Sequence, residues 1–178
     1  MLTLHAPAAG DAVVVEGSLV AAIGPYEELA AAYPAARVRR WPGVLLPGLV
    51  NPYGPELLEQ TYHPDPREAD ELGVDPLPLF FTDEVRLGAS ARRGVQRMLA
   101  CGVVAVSGEL RVRAVAEAVR RSGMAVVPRA SLPSGTPSLV AGASLPPLRV
   151  GDGARFAVFE GAGCVATVVG GRLVYRAR

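Results

Sequence analysis

The sequence predicts a mixed α/β protein with β structure at its two ends and an α/β insert between them. Three observations support this fold class. Short β-branched runs separated by glycine fill residues 1–50 and the stretch from Arg155 onward. Between them, two helical segments alternate with short apolar runs, the pattern of a parallel βαβαβ unit. The hydrophobic content of 50% and the charged content of 20% are typical of an ordered globular protein.

The N-terminal segment predicts strands and turns with one short helix. In "DAVVVEGSLVAAIGP" two β-branched runs flank Gly17, which favours a hairpin. "YEELAAAYP" predicts one or two helical turns that stop at Pro34. "ARVRRWPGVLLPGLV" returns to extended chain, and its apolar run from Val44 to Val50 suits a strand that passes from one module into another. His5 lies in a predicted edge strand.

A proline-rich excursion follows from Asn51 to Phe81. Its prolines exclude one regular helix through the whole stretch, so we expect a long irregular loop. Loops of this length inside a compact domain are often functional. The prolines are Pro52, Pro55, Pro64, Pro66, Pro76 and Pro78.

The insert then alternates helices with buried strands. Thr82 is the predicted N-cap of a first amphipathic helix, which ends near Gly102. "GVVAVSG" predicts a strand buried on both faces. "ELRVRAVAEAVRRSGM" predicts a second helix closed by Gly123, and "AVVPRA" another short strand. The crossovers between these strands should be right-handed.

The C-terminal segment predicts a return to β structure. A connection rich in proline, glycine and serine leads to strands from Arg155 onward, with a hairpin at Gly170 and Gly171. We therefore expect two domains. Residues 1–50 and 148–178 form one, and residues 51–147 form the α/β insert.

Composition excludes several classes of function. The net charge is only +1, which gives no electrostatic basis for binding nucleic acid or an anionic membrane. The sequence shows neither a signal peptide nor an apolar run long enough to span a membrane, so a cytoplasmic protein is expected. Cys101 and Cys164 have no metal-type spacing and are expected to be reduced. All 18 basic residues are arginine, in a composition compatible with a GC-rich bacterial genome.

Several motifs carry a family resemblance. "VVVEGSLVAAIGPYEELAAAYP" and "GVLLPGLVNPYGP" resemble the N-terminal part of the metal-dependent amidohydrolase superfamily, especially its imidazolonepropionase-like members. "LRVGDGARFAVFEGAGCVATVVGGRLVYR" is similar to their C-terminal segment, and "TDEVRLGASARRGVQRMLACGVVAV" resembles their first barrel helix and second strand. The resemblance implies a small composite β-sandwich built from both ends of the chain, with an inserted βαβαβ remnant of a (β/α)₈ barrel.

The resemblance also implies that the barrel is truncated. A complete (β/α)₈ barrel takes about 250 residues, whereas the stretch from Pro52 to Val140 has room for about three of its eight strands. Such a remnant cannot close, so its outer strand edges must be covered. We expect a homodimer, or a complex with a partner enzyme, through the open barrel face.

The metal-binding residues of the family are not carried over. Aligning "PGLVN" with the family motif places Tyr53 and Pro55 where two metal-binding histidines belong. Proline has no donor atom, and tyrosine is a poor ligand near neutral pH. The lysine that some members use is absent from the whole chain. We therefore expect neither a metal nor another cofactor, although the family implies a divalent ion such as zinc.

The carboxyl ends of parallel strands are where functional groups collect. This rule places four candidate ligand-binding residues together, which suit a small polar or anionic ligand: Asn51, Tyr53, Ser107 and Arg129. The catalytic residues are not identified. Weak candidates for a general base or a metal ligand are Glu59 and His63 on the loop and Glu109 after the second strand.

These observations favour an amidohydrolase-related protein that is non-catalytic and metal-free, acting as a small-ligand-binding, accessory or structural protein. The alternative is a hydrolase acting on non-peptide carbon–nitrogen bonds of cyclic amides or amidines, working without a metal or with one recruited at an oligomer interface through His63, Glu59 and Glu109. A third possibility is a subunit whose open barrel face docks on a full-length amidohydrolase or on a neighbouring pathway enzyme.

Overall fold

The computed structural model describes residues 1–129, 131 and 134–177. The chain divides into two compact units, each assembled from segments distant in sequence. The first comprises Met1–Leu49, Ala100–Val104 and Ser144–Arg178. The second comprises Val50–Leu99 and Ala105–Ala143. The predicted mixed α/β class is confirmed.

The elements follow one another along the chain as short strands and helices. The strands are β1 (Leu2–Ala9), β2 (Ala12–Glu16), β3 (Leu19–Gly24), β4 (Arg37–Pro47), β5 (Leu49–Asn51), β6 (Thr61–Tyr62), β7 (Leu77–Pro78), β8 (Val103–Ser107), β9 (Ala125–Val127), β10 (Ala143–Ser144), β11 (Arg155–Glu160), β12 (Gly163–Val169) and β13 (Arg172–Arg176). The helices are α1 (Tyr26–Ala32), α2 (Gly54–Leu58), α3 (Ala69–Leu72), α4 (Glu84–Ala100) and α5 (Arg113–Ser122), with a 3₁₀ turn at Pro66–Glu68.

Strands from both ends of the chain share one seven-stranded sheet, in the order β13-β12-β11-β4-β1-β2-β3. All neighbours are antiparallel except β1 and β4, which are parallel. β4 joins the two ends because its N-terminal part pairs with β1 and its C-terminal part with β11. β1 is therefore an interior strand, and the expectation that His5 lies in an edge strand is wrong.

The segment that precedes β11 also contacts β3 and the turn before it. Val20 on β3 donates its amide to Asp152 O at 2.8 Å, and Ala154 donates to Ser18 O at 2.8 Å. Val15 of β2 and Phe156 of β11 belong to the same buried cluster. The burial of these apolar side chains removes their surface from water and so stabilises the unit.

A four-stranded sheet has the order β10-β5-β8-β9. Every residue of β8 is buried, and β8 pairs in parallel with β9. α4 precedes β8 in the chain, and α5 lies between β8 and β9, so the predicted alternation of strands and helices is present. α4 buries residues three or four positions apart, as an amphipathic helix does: Leu87, Ala91, Val95 and Met98.

Two helix starts differ from the prediction. α4 begins at Glu84, and its cap is Asp83 rather than Thr82. The Asp83 carboxylate accepts hydrogen bonds from the amides of Val85 at 2.8 Å and Arg86 at 3.0 Å, which satisfies two otherwise unpaired donors. α5 begins at Arg113, later than the predicted segment.

The proline-rich excursion contains more regular structure than the predicted loop. It holds α2, α3, the 3₁₀ turn and a two-stranded sheet of β6 and β7. Pro55 and Pro66 lie in the first turns of α2 and the 3₁₀ turn, where the absent proline N–H costs no hydrogen bond. No helix in the described part of the chain is long and apolar enough to cross a membrane.

Candidate functional site

Arg129 organises the polar residues at the strand ends. Its two terminal nitrogens lie 2.8 Å from the two carboxylate oxygens of Glu56. Nη2 also donates to Pro52 O at 2.6 Å and to Ser107 O at 3.2 Å. The guanidinium therefore joins α2 to the chain after β5 and β8. We call the following residues the strand-end group: Asn51, Pro52, Tyr53, Glu56, Ser107 and Arg129.

The ion pair between Arg129 and Glu56 is largely shielded from water, with side-chain exposures of 13% and 23%. The hydrogen bonds from Arg129 lower the pKa of the Glu56 carboxyl, and the carboxylate raises the pKa of Arg129. Both groups stay charged near neutral pH. Nε of Arg129 is buried without a hydrogen-bond partner in the described residues.

Asn51 is fully buried and connects β5 to a distant part of the chain. Its Nδ2 donates to Ser138 O at 2.8 Å, and its Oδ1 accepts from the Tyr53 amide at 2.9 Å. The side-chain amide therefore already has partners on both its atoms. Ser107 is likewise engaged, because its Oγ donates to Pro52 O at 3.3 Å.

Tyr53 and Pro55 are the two residues that the sequence prediction aligned with the histidines of the amidohydrolase motif. Tyr53 is 7% exposed and donates its hydroxyl to Ser134 O at 2.7 Å. Pro55 lies in the first turn of α2 and offers no donor atom for a metal. Within the described residues, no group of three or more His, Cys, Asp or Glu side chains could hold a metal ion. The residues at the motif positions do not fit the divalent ion that the family implies.

The two candidate glutamates have different environments. Glu59 accepts hydrogen bonds from the amides of Arg111 at 2.6 Å and Val112 at 2.7 Å, and Val112 is the N-cap residue of α5. Glu59 thus acts as an N-terminal cap for α5 although it lies outside the helix. Its negative charge is also favourable beside the positive end of the helix dipole. Glu109 is largely exposed and forms an ion pair with Arg111 at 3.5 Å.

His63 is fully buried against α4. Its Nε2 lies 2.7 Å from Leu57 O, and its amide donates to Ser90 Oγ at 2.9 Å. Desolvation lowers the pKa of the imidazole, and nearby arginines lower it further. The ring is neutral near pH 7, so Nε2 carries the proton donated to Leu57 O. Gly94 on α4 leaves room for this ring, since a Cβ there would lie 2.5 Å from Nε2 of His63.

The strand-end rule brought Asn51, Ser107 and Arg129 together, but it did not identify Glu56. That residue has a weak sequence signal, an acidic side chain just after a proline in the first turn of α2. Chemically, the charged and polar atoms of the group mostly satisfy one another, with Arg129 Nε the exception, and the group has no neutral base among its side chains that could activate the Ser107 hydroxyl. Ligand binding at these residues stays a prediction.

Comparison with known families finds one match. The model of the imidazolonepropionase-like composite domain of bacteria matches residues 12–36, which span β2, β3 and α1. The predicted resemblance to this composite domain is confirmed by that match. No curated protein matches the chain.

Solved structures with a similar arrangement include a guanine deaminase, an ochratoxinase and an isopropylaminohydrolase. Guanine deaminase from Bradyrhizobium japonicum is 17% identical, with 66% of this chain and 27% of that chain covered and a TM-score of 0.47. Ochratoxinase from A. niger is 17% identical over 72% and 31% of the two chains, with a TM-score of 0.47. N-isopropylammelide isopropylaminohydrolase from Burkholderia multivorans is 17% identical over 72% and 37%, with a TM-score of 0.46. The chain thus spans about a third of the length of these structures.

Proposed function

We propose that this protein is a metal-free relative of imidazolonepropionase-type amidohydrolases that binds a small ligand or acts as an accessory or structural subunit, rather than as a hydrolase. The observation that carries the proposal is which side chains stand at the two predicted motif positions, Tyr53 and Pro55. Tyr53 donates its hydroxyl to a backbone carbonyl, and Pro55 has no donor atom. Binding a divalent ion there would require ligands that neither residue supplies.

The proposal extends to the architecture. The seven-stranded sheet is the counterpart of the family's composite sandwich, and the four-stranded sheet is the counterpart of an incomplete barrel. Support for the first part comes from the matched residues 12–36, which lie in the seven-stranded sheet and its adjoining helix. Support for the second comes from the order of β5, β8 and β9 with their intervening helices.

Elemental analysis of the purified native chain tests the proposal. We expect no divalent metal in stoichiometric amount and no turnover of cyclic amides or amidines. About one tightly bound divalent ion per chain would overturn the proposal, as would turnover abolished by His63→Ala. Glu160→Ala is the control for that variant, because Glu160 is exposed at the end of β11 and is not one of the candidate catalytic residues.

We also propose that β9 contacts a second copy of the chain. β9 is the last strand of the four-stranded sheet, and Val126 on it is 49% exposed. An open edge with an exposed apolar residue favours pairing. The mass in solution should be that of a dimer for the native chain and of a monomer for Val126→Glu. A native chain that is monomeric in solution would contradict the homodimer. If that monomer binds a full-length amidohydrolase, β9 contacts a partner enzyme instead.

A further inference from the structure

A cleft lies between one face of α4 and the chain from Pro64 to Val74. Its volume is about 670 Å³, within the range of roughly 300–1,000 Å³ that is typical of small-molecule sites. None of its lining residues belongs to the strand-end group. α4 contributes residues three or four positions apart, as expected for one helix face: Ala89, Arg92, Arg93, Gln96 and Arg97.

The lining carries three guanidinium groups and one carboxylate. Arg93 is engaged within the protein, because its Nε donates to His63 O at 2.7 Å and its Nη1 lies 3.3 Å from Asp65 Oδ2. These contacts compensate the charges of Arg93 and Asp65. They also hold the wall of the cleft against α4.

Arg92 and Arg97 remain as uncompensated charges. In residues 1–129, 131 and 134–177, neither guanidinium donates a hydrogen bond or forms an ion pair. Both nevertheless line the same cleft. Two positive charges at one concave surface favour an anion, and a guanidinium fork matches a carboxylate or a phosphate in geometry.

The remaining wall of the cleft is mainly apolar. The residues that form it are Pro64, Pro66, Ala69, Val74 and Ala89. Val74 is 66% exposed, so an apolar group bound beside it would remove additional surface from water. The lining therefore combines two free cations with an apolar surface.

We propose that this cleft binds a small organic anion whose carboxylate or phosphate group is held by Arg92 and Arg97, while its apolar body packs against Pro66 and Val74. The site is independent of the strand-end group and of the metal content of the protein. Absence of anion binding at the cleft would therefore not contradict the proposed function. Equally, finding a bound metal or turnover would not contradict anion binding at the cleft.

Titration calorimetry of the full chain with four probes tests the proposal. Phenyl phosphate and benzoate carry both an anion and an apolar body, inorganic phosphate carries only the anion, and benzamide is neutral. We expect saturable binding of at least one of the first two, weaker binding of inorganic phosphate and none of benzamide. The tighter of phenyl phosphate and benzoate identifies the anionic group. Absence of saturable binding of both at millimolar concentrations would overturn the proposal.

Two variants locate the bound anion. Arg92→Gln/Arg97→Gln should weaken binding about tenfold or more, the effect of losing charge-assisted hydrogen bonds. Arg113→Gln/Arg172→Gln is the matched control, since it removes the same charge from exposed arginines outside the cleft. Equal weakening by both pairs would show non-specific attraction and overturn the site.

Val74→Ser tests the apolar half of the cleft. It should weaken phenyl phosphate or benzoate and leave inorganic phosphate unchanged. Equal affinity of the variant and the native chain for the aromatic anion would contradict the apolar contact. Circular dichroism of each variant verifies that the fold is retained.

Discussion

At the scale of single residues, burial decides the protonation state of His5. The side chain is 2% exposed, and its Nδ1 accepts a hydrogen bond from Trp41 Nε1 at 3.2 Å. Desolvation, with a smaller contribution from the charge of Arg39, lowers the pKa of His5 from 6.5 to about 4. The folded protein therefore holds this imidazole in its neutral form.

This environment predicts loss of stability in acid. The pKa of His5 is lower in the folded state than in the unfolded state. Its contribution to the free energy of unfolding is therefore complete above about pH 6.5 and declines as the pH falls toward about 4. The total loss is about 3 kcal/mol, from roughly 1.4 kcal/mol for each pKa unit. Urea unfolding at several pH values measures it.

His5→Asn is the control for this prediction. Asparagine offers an acceptor near the position of Nδ1 but does not titrate, so the acid sensitivity of the variant comes from His63 and the carboxylates, which the native chain also has. The stability curves of the native chain and the variant should diverge between about pH 6.5 and 4. Parallel curves would contradict the role of His5.

The ion pair between Arg129 and Glu56 predicts a large effect from one substitution. Arg129→Met removes the guanidinium donor from the Glu56 carboxylate and from Ser107 O, and it removes one of the two donors to Pro52 O. We expect a loss of about 2–4 kcal/mol in the free energy of unfolding, as found when a shielded pair is broken. Arg111→Met breaks an exposed pair and should cost less than about 1 kcal/mol. Similar losses for both variants in urea unfolding would contradict the prediction.

At the scale of elements, α4 shows where local pattern succeeds and where it fails. Apolar residues at helical spacing predicted the helix, and Gly102 has the positive φ expected after its end. The N-cap was assigned one residue early. Thr82 and Asp83 are adjacent and both are good caps, so only the backbone geometry distinguishes them.

Alanine substitution separates these two residues. Asp83→Ala removes the acceptor of two amide hydrogen bonds and should lower the free energy of unfolding by about 1 kcal/mol. Thr82→Ala, the matched control, should change it by less than about 0.5 kcal/mol. Thermal unfolding of both variants measures the difference, and a larger effect at Thr82 would reverse the assignment.

At the scale of the whole molecule, β4 links the two ends of the chain. It pairs with β1 on one side and β11 on the other. Gly43 lies within β4 at φ +75°, and a Cβ there would lie 1.9 Å from Phe159 O on β11. Glycine is therefore required both by the backbone conformation and by the closeness of the neighbouring strand.

Gly43→Ala tests this link. We expect a loss of about 3 kcal/mol, because the left-handed backbone costs about 1 kcal/mol and the overlap with β11 adds strain. Gly10→Ala is the control, since Gly10 has φ +84° and nothing within 4 Å of an added Cβ. It should lose only about 1 kcal/mol. Equal losses in urea unfolding would contradict the close approach to β11.

The sequence by itself determined the main helices and strands outside the proline-rich excursion and the family resemblance of the N-terminal strands. Helical periodicity, alternating apolar runs and glycine turns act over a few residues, so they can be recognised without knowing the fold. The same reasoning predicted that Asn51, Ser107 and Arg129 lie at strand ends. Ligand binding, the absence of a cofactor and the oligomeric state remain predictions.

Only the tertiary structure decided which groups meet. Arg129 and Glu56 are 73 positions apart, and nothing in their local patterns pairs them. The neutral state of His63, the cap that Glu59 provides to α5 and the interior place of β1 also depend on distant neighbours. Burial and hydrogen bonding are properties of the packed chain, and they shift the pKa of a side chain away from the ordinary value of its residue type.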